Sequence, residues 1–182
     1  MIFFETFGDF GFVTKARMET LRTFGPALSP FSAFMLLQGL ETLPVRMDRH
    51  VANARAVAGF LDAHAAVAWV NYPGMDGRDD VALVEHYLPR GAGGILSFGI
   101  KGGQAAGERF IEALEMFSHL ANVGDARSLV IHPASTTHRQ LSEEEQIAAG
   151  VPPDMVRLSV GLETLDDILW DLDQALSRCG TA

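Results

Sequence analysis

The sequence predicts an α/β domain entered through a helical lead-in. Three observations carry this reading. Met47, Val51, Ala54, Ala58 and Leu61 recur at alternating spacings of four and three, the stripe of a long helix. Short runs rich in β-branched and aromatic residues, Val67–Tyr72, Gly93–Ile100 and Val156–Val160, are bounded by glycine or proline and fit strands. Helical and strand patterns then alternate to the end of the chain, giving about four strands and four or five helices with no internal repeat.

The lead-in is phenylalanine-rich. Phe3, Phe4, Phe7, Phe10 and Phe12 fall within the first twelve residues, where chains normally fray. Either the natural chain begins earlier or the arm folds back on its own core. Thr14 to Phe24 reads as a short helix. Ser29 and Pro30 supply an N-cap and a first-turn proline, and Phe34, Leu37 and Leu40 then share one face.

Pro44 opens the long helix, which runs to about His64, with Arg46, Asp48, Arg49 and Arg55 on its other faces. The strand Val67–Tyr72 stops at Pro73-Gly74, and helices are expected over Asp79–Leu88 and Gln104–Phe117. Two further short strands are expected at His119–Val123 and Ser128–Ile131. Ser142 and Glu145 have capping-box spacing for a short helix that Gly150 ends. Thr164 and Asp167 resemble a second capping signal. Leu165, Ile168, Leu169, Leu172 and Leu176 give the last helix its apolar face.

Composition narrows the function classes. The 182 residues carry a formal charge of −9 and a pI near 5.0, which repels phosphate backbones and argues against a nucleic-acid partner. The apolar fraction of 48% is an ordinary globular value with a mild apolar tilt, which a large core or a partner-facing surface would equally explain. Cys179 is the single cysteine, so no internal disulfide forms, as expected in a reducing compartment. No apolar run approaches a membrane span, and the start lacks the basic leader of a signal peptide, which points to a cytoplasmic protein.

Few residues stand out as chemistry. His132 and His138 are six apart, not a known ligand spacing, so no metal site is expected. Gly91 to Gly94 read as turn glycines flanking a strand, because no Gly-x-Gly-x-x-Gly spacing follows. Arg157 sits in mid-strand on the face opposite Val156, Leu158 and Val160. There it can point into solvent, or into a cleft where its planar fork would grip a carboxylate. Asn122 lies in the loop-like stretch Leu120–Asp125, as a turn residue or a polar ligand contact.

Motif order sharpens this. The stretch from Gly25 to His50 (GPALSPFSAFMLLQGLETLPVRMDRH), then Val70–Gly74, Gly94–Phe98, His132–His138 and Val156–Glu163 together resemble the Cys/Met-metabolism family of pyridoxal-phosphate (PLP) enzymes. Within it, the opening ETFGDFGFVTKAR and the run from Leu120 to Leu129 resemble the O-acetylhomoserine sulfhydrylases. Asn122 and Arg127 depart from the Ser and Glu of the cystathionine-enzyme pattern, although a portion of a cystathionine γ-synthase or lyase is the alternative within the family. The resemblance implies that Arg157 binds the α-carboxylate of an O-acetylhomoserine-like substrate and that Asn122 helps.

The family's PLP-bearing lysine lies in a Ser-x-Thr-Lys motif followed by a Gly-Gly-His run. Thr14-Lys15 resembles it only superficially, because Phe12 takes the serine place and Ala16-Arg17 follow; Lys101, the other lysine, lies in a glycine turn. The resemblance therefore implies the C-terminal part of a fold-type I PLP enzyme. Residues 1–43 would be the end of the large domain. Residues 44–182 would be the small α/β domain, a mixed or antiparallel sheet with helices on one side. It implies no catalytic or cofactor-binding residue in this chain, with PLP held mainly by an N-terminal part. The expected partners are a homo-oligomer or that missing half. A non-enzymatic binding or oligomerisation domain docking on a full-length paralogue is the alternative from another class.

Overall fold

Gly8, Gly11 and Gly25 shape the start of the chain. The computed structural model describes residues 2–75 and 79–179, and the chain divides into two compact units, Met1–Thr42 and Leu43–Ala182. In the first unit α1 (Ile2–Phe7) is followed by a 3-10 turn at Gly8–Phe10, α2 (Gly11–Lys15), a π-helical stretch Ala16–Leu21 and α3 (Arg22–Phe24). Helix thus starts twelve residues before the expected Thr14. Gly11 permits it: a Cβ there would stand 2.8 Å from Phe4 Cα, so only glycine lets this backbone lie against α1. Gly25, at φ +63°, ends the run.

The expected cap of α4 (Pro30–Glu41) is present, with Ser29 Oγ accepting from Ser32 N at 3.1 Å. The unit's large apolar side chains stay exposed, Phe24 at 81%, Phe10 at 74% and Phe31 at 73% among them, and Gly11 is the only residue buried among those described. Phe34, Leu37 and Leu40 share that exposure rather than covering a core.

The second unit holds a five-stranded sheet in the order β1-β2-β5-β4-β3, each strand overlapping one of the expected segments. The strands are β1 (Val67–Asn71), β2 (Ile95–Ile100), β3 (Ser118–His119), β4 (Leu129–Ile131) and β5 (Met155–Ser159). All neighbours are antiparallel except β3 with β4. β3 is only two residues long; the expected continuation to Val123 is a loop. There Asn122 Oδ1 accepts from Val123 N, Asp125 Oδ1 accepts from Arg127 N, and Gly124 sits at φ +72°, which withdraws the backbone from the ladder.

Helices α5 (Leu43–Ala63), α7 (Gly103–Ala113) and α9 (Leu165–Cys179) pack on one face of the sheet. Their Val57, Leu61, Phe110, Ile168 and Leu172 meet Leu96, Phe98, Val156 and Leu158 in one core. Phe98 and Phe110 stack edge to face at 5.6 Å. The short helices are α6 (Val81–Tyr87) and α8 (Glu143–Ala148), the latter with both halves of the expected capping box. Among the described residues no helix is long and apolar enough to cross a membrane.

Two boundaries moved for physical reasons. α7 ends at Ala113 rather than Phe117, because the Asp171 side chain on α9 takes the N–H groups of Glu115, Met116 and Phe117 at 2.8, 2.9 and 3.3 Å. The buried face of α5 is wider than the expected stripe: Ala54, Ala58 and Leu61 are buried as expected, His50, Asn53 and Val57 are buried beside them, and Met47 stays 37% exposed. Cys179 closes α9, where burial raises its thiol pKa against a smaller lowering by Arg109, a setting that makes it a poor nucleophile at neutral pH.

Candidate carboxylate-binding site

The face of the sheet opposite α5, α7 and α9 carries Arg157. Alternation along β5 sends Val156 and Leu158 into the core and Arg157 the other way. Ser97 on β2 and Ile131 on β4 stand directly opposite it in register. The Arg157 side chain is half-buried and makes no hydrogen bond or ion pair with any described residue, and the same is true of the Ser97 hydroxyl. A guanidinium in that position has five N–H donors to offer and a hydroxyl within one strand spacing, which suits a planar anion. Leu129, Ile131, Ala134 and Val151 are buried outside the main core, and of these Ile131 stands directly beside Arg157.

Asn122 stands in the exposed loop between β3 and β4. Its amide contacts Asp125 at 3.5 Å and its carbonyl takes Val123 N at 2.9 Å. β4 lies between β5 and the strand that leads into this loop, and no hydrogen bond joins the two expected residues.

Both lysines are engaged elsewhere. Lys15 pairs with Glu19 and lies over the Phe3 ring, and Lys101 donates to the Ala65 carbonyl at 2.7 Å. Lys101 follows β2, beyond the Ser97 that stands opposite Arg157. PLP chemistry uses a lysine for its Schiff base, and both lysines of this chain make other contacts among the described residues. A cavity of about 600 Å³ lies between α5, α6 and the turn after β1, and neither Arg157, Asn122 nor any lysine lines it. Tyr72 on its wall donates to Gly93 O; burial raises its pKa, partly countered by Arg55.

His132 is accounted for by structure. Its Nε2 donates to Pro153 O at 2.7 Å, and Nδ1 accepts from Ser135, which tethers the approach to β5. His138 contacts Thr137 at 2.9 Å. Sequence reasoning missed the groups that support the site: His50, Asn53, Ser128 and Glu163. An asparagine and a histidine on the inner face of α5 were the available signal, because buried polar groups demand partners. His50 donates from Nδ1 to Val160 O at 2.7 Å, and Asn53 donates to Gly161 O and Glu163 O at 3.0 and 3.1 Å.

Comparison with known proteins agrees with this architecture. A model of the family described as "Cys/Met metabolism PLP-dependent enzyme" matches residues 9–177. The O-acetyl-L-homoserine sulfhydrylase of Leptospira meyeri is 56% identical over 178 residues, which is 96% of this chain and 40% of that protein. O-acetyl-L-homoserine sulfhydrylase 1 of Thermus thermophilus is 51% identical, covering 95% of this chain and 41% of that one. Among solved structures, a putative O-acetylhomoserine (thiol)-lyase of Campylobacter jejuni, which carries a pyridoxyl-lysine monophosphate, superposes with a TM-score of 0.83 at 44% identity, over 91% of this chain and 39% of that chain. Cystathionine gamma synthase of Xanthomonas oryzae gives 0.75 at 41% identity, over 83% and 39%. The chain thus spans about two-fifths of the length of the relatives it matches, and with a family match across nearly all of its residues it belongs to the Cys/Met metabolism PLP-dependent enzymes.

Proposed function

We propose that this chain is the substrate-carboxylate-binding portion of a PLP-dependent O-acetylhomoserine sulfhydrylase, which replaces the γ-acetate of O-acetylhomoserine with sulfide or a thiol to give homocysteine or methionine. The observation that carries the reading is the Arg157 side chain, half-buried and unpartnered among the described residues on the sheet face opposite α5, α7 and α9. The names of the relatives favour the sulfhydrylase branch over the cystathionine enzymes. PLP, when bound to the whole enzyme, supplies the electron sink for the proton transfers; this chain contributes orientation, by fixing the substrate through Arg157 and Asn122.

In this reading the chain is the C-terminal part, and it is inactive alone because the Ser-x-Thr-Lys motif is absent. The placement rests on motif order. Aligning Val156–Glu163 along a full-length relative tests it: a match in the final two-fifths supports the placement, and a match in the first two-fifths overturns it. A second reading, a docking domain without catalysis, is favoured by the exposed phenylalanines of the first unit. Either way we expect homo-oligomers or association with the remaining part of the enzyme, in the cytoplasm.

The test is spectroscopic. PLP is added to the purified chain, reduced with borohydride and dialysed, and the absorbance of the retained pyridoxyl group is recorded. We expect none to remain. A stoichiometric adduct on Lys15 or Lys101 would overturn the claim of incompleteness.

A further inference from the structure

Arg157 and Asn122 do not touch, so something else must set the distance between the strand and the loop that present them. The loop from Leu120 to Arg127 is mostly exposed, and its own side-chain bonds, Asn122 to Val123 and Asp125 to Arg127, stay within it. It is tied to the end of β5 at one place. Ser128, fully buried, is where the loop returns into β4. Glu163, just past β5, accepts from Ser128 N at 2.6 Å with one carboxylate oxygen and from Ser128 Oγ at 2.9 Å with the other. Ser128 Oγ accepts in turn from Gly161 N at 2.9 Å, and Leu162 N donates to Ala126 O at 2.9 Å.

Asn53 on α5 completes the arrangement by holding the carbonyls of both Gly161 and Glu163. The approach is too close for any side chain at Gly161: a Cβ would meet Glu163 Oε2 at 2.4 Å and Ala126 O at 2.6 Å. Helix, strand end and loop are thereby locked by short, saturated hydrogen bonds, two of them to a carboxylate.

We propose that Glu163, with Ser128 and Asn53, is a positioning clasp that sets the spacing between Asn122 and Arg157 and so the preference for a free α-carboxylate. The proposal rests on the carboxylate-binding reading given above. A clasp that only stabilised the fold would change how much protein is folded. It would leave unchanged the ratio of affinities with which folded protein binds two ligands, whereas a clasp that positions the site changes that ratio.

The experiment titrates the 182-residue chain with O-acetyl-L-homoserine and with its primary amide, following ¹⁵N–¹H shifts of β2 and β5. The wild-type chain should favour the acid. Glu163→Gln, which keeps the shape but replaces one acceptor oxygen by a donor facing Ser128, should reduce that preference by about tenfold. Ser128→Ala should reduce it in the same direction by less, and it decides the matter if Glu163→Gln does not fold. If the folded variants keep the wild-type preference while Arg157→Ala loses binding of the acid, the clasp proposal falls and the carboxylate reading stands. If Arg157→Ala binds the acid as wild type does, the carboxylate reading falls and takes the clasp proposal with it.

Discussion

Arg157→Ala is expected to weaken binding of O-acetyl-L-homoserine at least about 100-fold, the loss of a charge-assisted bidentate contact. Stability should change little, because Arg157 has no partner among the described residues whose satisfaction depends on it. Arg157→Lys keeps the charge but not the planar fork and should lose about tenfold. The measurement is the same titration, with the denaturation midpoint recorded in parallel. Unchanged affinity in the alanine variant would remove the functional assignment. A large fall in stability would show instead that Arg157 serves the fold.

The largest effect on stability should come from Asp171→Ala. Asp171 is fully buried on α9 and receives three consecutive backbone N–H groups, from Glu115, Met116 and Phe117, and the Gln174 amide at 3.0 Å. These are the groups that turn the chain out of α7 toward β3. Removing the acceptor strands the donors away from water, at a cost of about 3–5 kcal/mol. Urea denaturation should show a lower midpoint with an unchanged slope. Asp171→Asn keeps one acceptor oxygen and should fall between the two. A loss below about 1 kcal/mol for the alanine variant would mean that water replaces the side chain, against the burial observed here.

Much of the fold was legible because local chemistry agreed with tertiary demand. The Ser29 cap, the Ser142–Glu145 capping box and the alternation of Val156, Leu158 and Val160 against Arg157 each follow from residue type and spacing, and each is present. The misread elements share one cause. The end of α7, the shortness of β3 and the wider buried face of α5 are all decided by polar side chains bonding to backbone: Asp171 to residues 115–117, Asn122 and Asp125 within their loop, and His50 and Asn53 to the segment after β5. Hydrophobic periodicity is blind to such bonds, because their partners lie 50 to 110 residues away or break a ladder that pattern alone would continue.

The sequence by itself determined that Arg157 faces away from the core, since period two leaves a mid-strand residue no other choice once its neighbours are apolar. It also determined the family, through motifs in order. Only the tertiary structure decided that Arg157 stands on the face opposite α5, α7 and α9 with Ser97 in register beside it, and that Glu163, Ser128 and Asn53 tie its strand to the loop of Asn122. Hydrogen bonds between residues 35 to 110 positions apart are fixed by how helices and strands pack, and no local propensity encodes them.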